Sequence, residues 1–192
     1  MAQYSMDQKR AVHKIIKRNA SNLFSNTPHG FTNCIQGRTV IVGNGELPKG
    51  SAKFIDSFDT VIRCNSWRNY GSEDQTGSKV TVIFLNGRSM KHVEDNAETD
   101  CLNVVVEQTK TENNARAVRE VDAPTCTLSD NVWKQLKPYY DKVTTGFMAV
   151  CIAMQKTRSV TIVGMEGKGS NVYSRDQRLA ITKLVIKLMT SG

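Results

Sequence analysis

The sequence predicts an α/β protein: a Rossmann-like, doubly wound and mostly parallel sheet in one compact domain. Three observations lead there. Short β-branched runs such as "TVIVG" and "VTVIFLN" read as strands buried on both faces. Helical stretches alternate with these runs, the order of a sheet wound through crossovers. The chain has 192 residues, enough for one such domain.

The elements follow in order. Ser5 to about Ala20 reads as a helix, with Ser5 and Gln8 spaced as a capping box. Ala11, Ile15 and Ile16 make its apolar stripe, and Lys9, Arg10, Lys14, Lys17 and Arg18 face elsewhere. "SNTPHGFTN" is a loop rich in breakers. "TVIVG" after Arg38 is the first strand, "GELPKGSAKFIDSF" a turn with a short helix or loop, and "TVIRCN" the second strand. Val80–Asn86 is a third strand and Leu102–Gln108 a fourth. "SDNVWKQLKPYY" is a helix capped by Ser129 or Asp130 and ended by Pro138. "TTGFMAVCIAMQKT" is an apolar helix, "SVTIVGMEG" a further strand, and "SRDQRLAITKLVIKLMTSG" an amphipathic helix. Residues 1–36 read as an N-terminal helix and loop, and 37–192 as the ligand-binding domain.

Composition narrows the function. A net charge of +8 suits an anionic partner: a nucleotide, nucleic acid, an anionic sugar or an acidic membrane. The five cysteines, Cys34, Cys64, Cys101, Cys126 and Cys151, are spread singly. They suggest neither a zinc site nor a disulfide framework, but reduced thiols in a cytoplasmic protein. No signal-peptide stretch opens the sequence, and no apolar run is long enough to span a bilayer.

Ligands of wound sheets bind at the carboxyl ends of the strands. That rule gathers Gly43, Asn44, Gly45, Asn65, Asn86 and Gly164 on one rim, joined by the helix start at Thr144, Thr145 and Gly146. Gly43 and Gly45 fit a dinucleotide fingerprint, but Pro48 fills its third glycine place. Gly45 and Gly50 have P-loop spacing, but Ser51 stands where that motif needs lysine. Three asparagines at strand ends suit ribose hydroxyls, a cytosine edge or a phosphate oxygen, because amides both donate and accept. Arg63 reads as a structural brace acting through Asp56 or Asp59.

"VIVGNGELPKG…FIDSFDTVIRCNSW…TGSKVTVIFLN" resembles the nucleotide-binding half of sialyltransferases. It looks closest to the bacterial enzymes of glycosyltransferase family 42, and is also similar to the first sialyl motif of family 29. "KVTTGFMAVCIAMQKTRSVTIVGMEG" resembles the second sialyl motif. The resemblance implies a sialyltransferase-like GT-A variant fold and an inverting, metal-independent transfer from CMP-sialic acid to a glycan hydroxyl. It puts Asn44 and Asn65 at the phosphate and ribose, and Asn86 near the donor sugar. Thr144, Thr145 and Gly146 would meet the cytidine or the sugar carboxylate. Lys142 stands where the bacterial enzymes carry arginine, a point charge in place of a planar fork. No metal and no cofactor are implied, since a departing CMP carries one phosphate that N–H groups and hydroxyls can stabilise.

The acceptor half departs from the pattern. The family's histidine base lies late in the chain, whereas the histidines here are His13, His29 and His92. His92, after the third strand, is the catalytic candidate among them. Tyr173 matches either a tyrosine at the donor phosphate or the segment of the missing histidine, and Glu166 or Asp176 are other candidates for the base. Three readings stay open: a compact sialyltransferase, a CMP-sugar hydrolase, and an inactive cytidine-nucleotide binder. RNA binding is a further alternative, though no aromatic platform supports it. DNA is not an expected partner; an anionic surface, membrane or RNA, remains one.

Overall fold

The computed structural model describes residues 6–25, 27–31, 33–65, 73–86, 101–106, 123–142 and 144–165. Within them, seven strands form one sheet: β1 (Phe24–Ser25), β2 (Arg38–Val42), β3 (Thr60–Cys64), β4 (Val82–Leu85), β5 (Leu102–Val105), β6 (Thr125–Leu128) and β7 (Ser159–Val163). Their order is β1-β6-β5-β4-β3-β2-β7, and every pair is parallel except β1 with β6. The described helices are α1 (Met6–Arg18), α2 (Ala52–Asp56), α3 (Glu73–Thr76), α4 (Asp130–Leu136) and α5 (Thr145–Lys156). The chain steps from β2 outward to β6, then returns through α5 to lay β7 on the other side of β2. The order reverses at β2, the kind of switch point at whose carboxyl side wound sheets bind their ligands.

The pleat divides the core. Ile41, Ile62, Phe84 and Val104 pack with α1, α4 and α5 on one face. Val40, Val42 and Val61 pack with Ile55 of α2 and with Phe58 on the other. Strands buried on both faces are rich in apolar residues; β3 and β4 are buried throughout, β4 wholly apolar and β3 with Thr60 and Arg63 among its residues. α5 lies directly on the sheet, with Phe147 through Ala153 all buried.

Several details differ from the sequence reading. β1 and β6 are not among the strands expected from the sequence; β1 has two residues, and β6 ("TCTL") is polar at alternate positions. Val12 and Ile16 are the enclosed apolar residues of α1, while Ala11 and Ile15 are half-buried. Lys9, expected in solvent, is 3 % exposed. Ser5 and the amphipathic stretch after Ser174 lie outside the described residues. α1 and Leu23 share the core with the sheet.

All five cysteines are free. Burial pushes the thiols of Cys64 and Cys126 up to about 12 and that of Cys34 to about 11, and raises Cys151 as well. An acid whose folded pKa lies above its unfolded value favours the fold while it is neutral. That contribution is whole below the unfolded thiol pKa of about 8.5 and is lost as pH climbs toward the folded values. The urea midpoint is therefore expected to fall steadily between pH 8.5 and pH 11. A midpoint flat across that range would mean the thiols ionise as readily in the folded chain as in the unfolded one.

Candidate functional site

The carboxyl rim collects the residues singled out from the sequence. Gly43, Asn44 and Gly45 follow β2, Asn65 follows β3, Asn86 follows β4, and Gly164 follows β7. Gly43 N–H donates to Val163 O (2.8 Å) and Gly45 N–H to Gly164 O (2.7 Å). These bonds carry the β2–β7 pairing past the strand ends. A Cβ on Gly43 would overlap the Gly164 carbonyl oxygen and come within 2.8 Å of its carbon. Gly164 itself holds φ +65°, a left-handed conformation suited to glycine. The glycine turn is thus shaped by the close approach of two backbones.

The three asparagines follow the neighbouring strands β2, β3 and β4 and tie their ends together. Asn44 Nδ2 donates to Cys64 O at 3.3 Å, and Asn65 Oδ1 accepts the Asn86 N–H at 3.1 Å. Asn65 N–H donates to Phe84 O at 2.8 Å. Asn65 also has φ +53°, the left-handed region that asparagine tolerates better than most residues. All three are half-buried.

α5 aims its first turn at this rim. Thr144 Oγ1 accepts the Phe147 N–H at 3.0 Å, and Thr144 O accepts the Met148 N–H at 3.0 Å. The cap leaves the Thr144 hydroxyl proton free to donate. The N–H groups of Thr145 and Gly146 precede the first intrahelical bond, at the positive end of a helix of 12 residues. Met165 links this helix tip to the glycine turn. Its Cγ lies 2.8 Å from an ideal Cβ on Gly43, and its Cε lies 2.9 Å from one on Gly146. The sequence reading missed Met165, although it directly follows Gly164 and faces two glycines.

Behind the rim, Arg63 is 1 % exposed. Its guanidinium donates to Thr76 O (2.8 Å), Gly77 O (3.1 Å) and Lys79 O (2.9 and 3.0 Å). Burial lowers its pKa to about 10, against the opposing pull of Asp56. Asp56 accepts the Ser78 N–H at 3.1 Å and the Lys79 N–H at 3.0 Å. Arg63 therefore braces the loop after α3 through its carbonyls, and Asp56 holds the same loop through its N–H groups. Asp59 works elsewhere: it accepts the Arg38 N–H at 2.7 Å.

Lys142 closes a short 3-10 helix (Lys137–Lys142) two residues before Thr144. His92, Tyr173, Glu166 and Asp176 lie outside the described residues. His29 is exposed in a turn, and His13 sits on α1 with a buried, unpartnered Nδ1. Burial, then the charge of Lys17, lowers the His13 pKa. No group of three or more His, Cys, Asp or Glu that could hold a metal occurs among the described residues. No described helix is long and apolar enough to cross a membrane.

Two solved structures share this fold. A crystal structure of a mammalian sialyltransferase aligns with a TM-score of 0.60 at 14 % identity, covering 97 % of this chain and 84 % of its own. A mammalian sialyltransferase in complex with Gal-beta-1-3GalNAc-ortho-nitrophenol aligns with a TM-score of 0.58 at 15 % identity, covering 97 % and 85 %. No curated protein matches the chain. The family model for glycosyltransferase family 29 (sialyltransferase) matches residues 2–122. Of the two families that the sequence resembles, this is the second. With more than half of its length matched, the chain belongs to glycosyltransferase family 29, the sialyltransferases.

Proposed function

We propose that the chain binds CMP-sialic acid at the carboxyl rim and transfers the sugar to a glycan hydroxyl, with inversion and without a metal. The carrying observation is the set of three asparagines at the ends of neighbouring strands, with an open helix start on the same rim. Asn44 and Asn65 offer amides to the phosphate and ribose, and Asn86 lies toward the donor sugar. Gly43 and Gly45 spend their N–H groups on the β7 loop, so their part is to shape the turn. The N–H groups of Thr145 and Gly146 and the Thr144 hydroxyl stabilise the phosphate of CMP as it departs. Their donors are fixed before the charge develops, which is the economical form of electrostatic stabilisation.

The general base belongs to His92 or Tyr173 in this reading. Histidine has the better matched pKa, while tyrosine with a pKa of about 10 better serves as a phosphate contact. Free, separated cysteines suit a reducing compartment, and we place the protein in the cytoplasm.

Thermal melting with CMP, UMP and GMP tests the proposal. CMP alone should raise the melting temperature, through binding to the folded state. Asn65→Ala should abolish most of that rise and cost roughly 1–2 kcal/mol of stability, from the left-handed φ and the lost bond to Asn86. Asn65→Gly keeps the φ and loses the amide, so it should recover stability but not CMP binding. Equal shifts with all three nucleotides, or an Asn65→Ala variant that binds CMP normally, would sink the reading. Release of CMP from CMP-sialic acid only when a sugar acceptor is present separates transfer from hydrolysis.

A further inference from the structure

The sheet separates the charges of the described residues. α5 lies on one face of the sheet, and α1 packs on α5, on α4 and on the 3-10 helix that follows α4. The outward side of α1 is cationic. Arg10, Lys14 and Lys17 stand at i, i+4 and i+7, with Arg18 beside them, and all four are exposed. Hydrogen bonds bring further cations to this stripe. Asn131 Nδ2 donates to Asn19 Oδ1 at 3.2 Å and Ser129 Oγ to Asn22 O at 2.8 Å, so α4 begins beside the end of α1. Lys134 stands three residues after Asn131 and Lys137 three further on, both exposed. Lys156 Nζ donates to Ala20 O at 3.2 Å, which brings the end of α5 and the exposed Arg158 to the same place. Against these eight exposed cations, the described residues of the layer expose two carboxylates, Asp7 and Asp130. Asp7 lies 3.6 Å from Arg10, and among the described residues none of the other seven cations is ion-paired.

The opposite face carries no such excess. There α2, α3 and the turn before α2 expose Lys49 and Lys53 against Glu46, Glu73 and Asp74. Two further features choose the partner of the cationic face. Among the described residues it exposes no aromatic side chain; Phe54, the exposed large hydrophobic one, is on α2. Single-stranded nucleic acid is gripped by stacking on such side chains, so it is the poorer fit. Lys17, Arg18, Lys156 and Arg158 also gather at the carboxyl ends of α1 and α5. They lie a helix length, about 18 Å, from the rim where α5 starts, and so are misplaced to hold an acceptor there.

We propose that the layer of α1, α4 and α5 docks on the anionic surface of a phospholipid bilayer, held by headgroup charge without insertion. A flat field of negative headgroups matches cations spread over three helices, and it needs no aromatic contact. Each lysine or arginine near such a surface strengthens binding roughly fivefold. This docking is independent of the donor-site reading above.

The test is co-sedimentation of the full chain with vesicles of phosphatidylcholine alone or with about one third phosphatidylserine. The protein should bind the charged vesicles and not the neutral ones. Binding should fall at least about tenfold between about 0.1 M and about 1 M salt, as the screening length shortens. The double variant Lys14→Gln/Lys17→Gln should weaken binding by about tenfold or more. Lys49→Gln/Lys53→Gln removes the same charge from the other face and should change it by less than about threefold. All four residues are exposed, so both variants should keep the wild-type melting temperature. Equal losses in the two variants overturn the proposal, since net charge rather than one face would then drive binding. Equal binding to both kinds of vesicle, or to neither, also overturns it. So does a single-stranded RNA oligonucleotide that displaces the protein from charged vesicles, because the partner would then be nucleic acid. A wild type whose melting ignores CMP while its vesicle binding follows Lys14 and Lys17 sinks the donor site and leaves this proposal standing.

Discussion

Replacing Arg63 with methionine is expected to destabilise the fold by roughly 3 kcal/mol or more, the largest single-residue effect away from the apolar core. Methionine fills similar space and removes a buried charge, so desolvation alone would favour the variant. The carbonyl groups decide the sign. Thr76, Gly77 and Lys79 lose their guanidinium donor, and each buried acceptor left without a donor costs about 1–3 kcal/mol. Arg63→Lys keeps the charge but replaces a planar fork by a point donor, so it should recover only part of the loss. The loop from Thr76 to Lys79 feeds β4 and hence Asn86. Loss of the brace should therefore lower CMP affinity as well as the urea midpoint. A variant within about 1 kcal/mol of the wild type would mean that water or a rearranged loop satisfies those carbonyls.

The sheet was legible because its central strands are buried on both faces. β4 is an unbroken apolar run, β2 is one after Arg38 and Thr39, and β3 and the edge strand β7 are β-branched runs interrupted by Arg63 and Thr161. β6 escaped because "TCTL" buries only Cys126 and Leu128, half the signal of its neighbours. β1 escaped because a two-residue strand is defined by its partner, not by its own pattern. The rim residues were legible one by one, since strand ends collect them by topology. Their connections were not: the Asn44–Cys64 and Asn65–Asn86 bonds depend on strand register. Lys9 shows a different gap. Its charge suggested solvent, yet the fold leaves the residue 3 % exposed. Arg63 was read as a brace, and it is one, but through carbonyls rather than through Asp56 directly.

The glycine turn offers the sharpest joint test of fold and site. Gly43→Ala is expected to cost roughly 2–4 kcal/mol and to weaken CMP binding at least about tenfold. The collision is with backbone: the new methyl would overlap the Gly164 carbonyl oxygen. Neither side can yield easily, since β2 and β7 are paired along five residues and locked beyond by the Gly43 and Gly45 N–H bonds. The turn must open, and that breaks the bond from Gly45 to Gly164, shifts Asn44 off Cys64, and pushes Met165 toward Gly146. Every displaced group lies at the proposed nucleotide site, so stability and affinity should fall together. Gly50→Ala is the control. Gly50 holds φ +80° but meets nothing within 4 Å, so alanine there adds backbone strain of about 1–2 kcal/mol without a collision. It should melt slightly earlier and bind CMP normally. If Gly50→Ala and Gly43→Ala lose stability alike and both keep full CMP affinity, the approach of the two loops does not shape the nucleotide site.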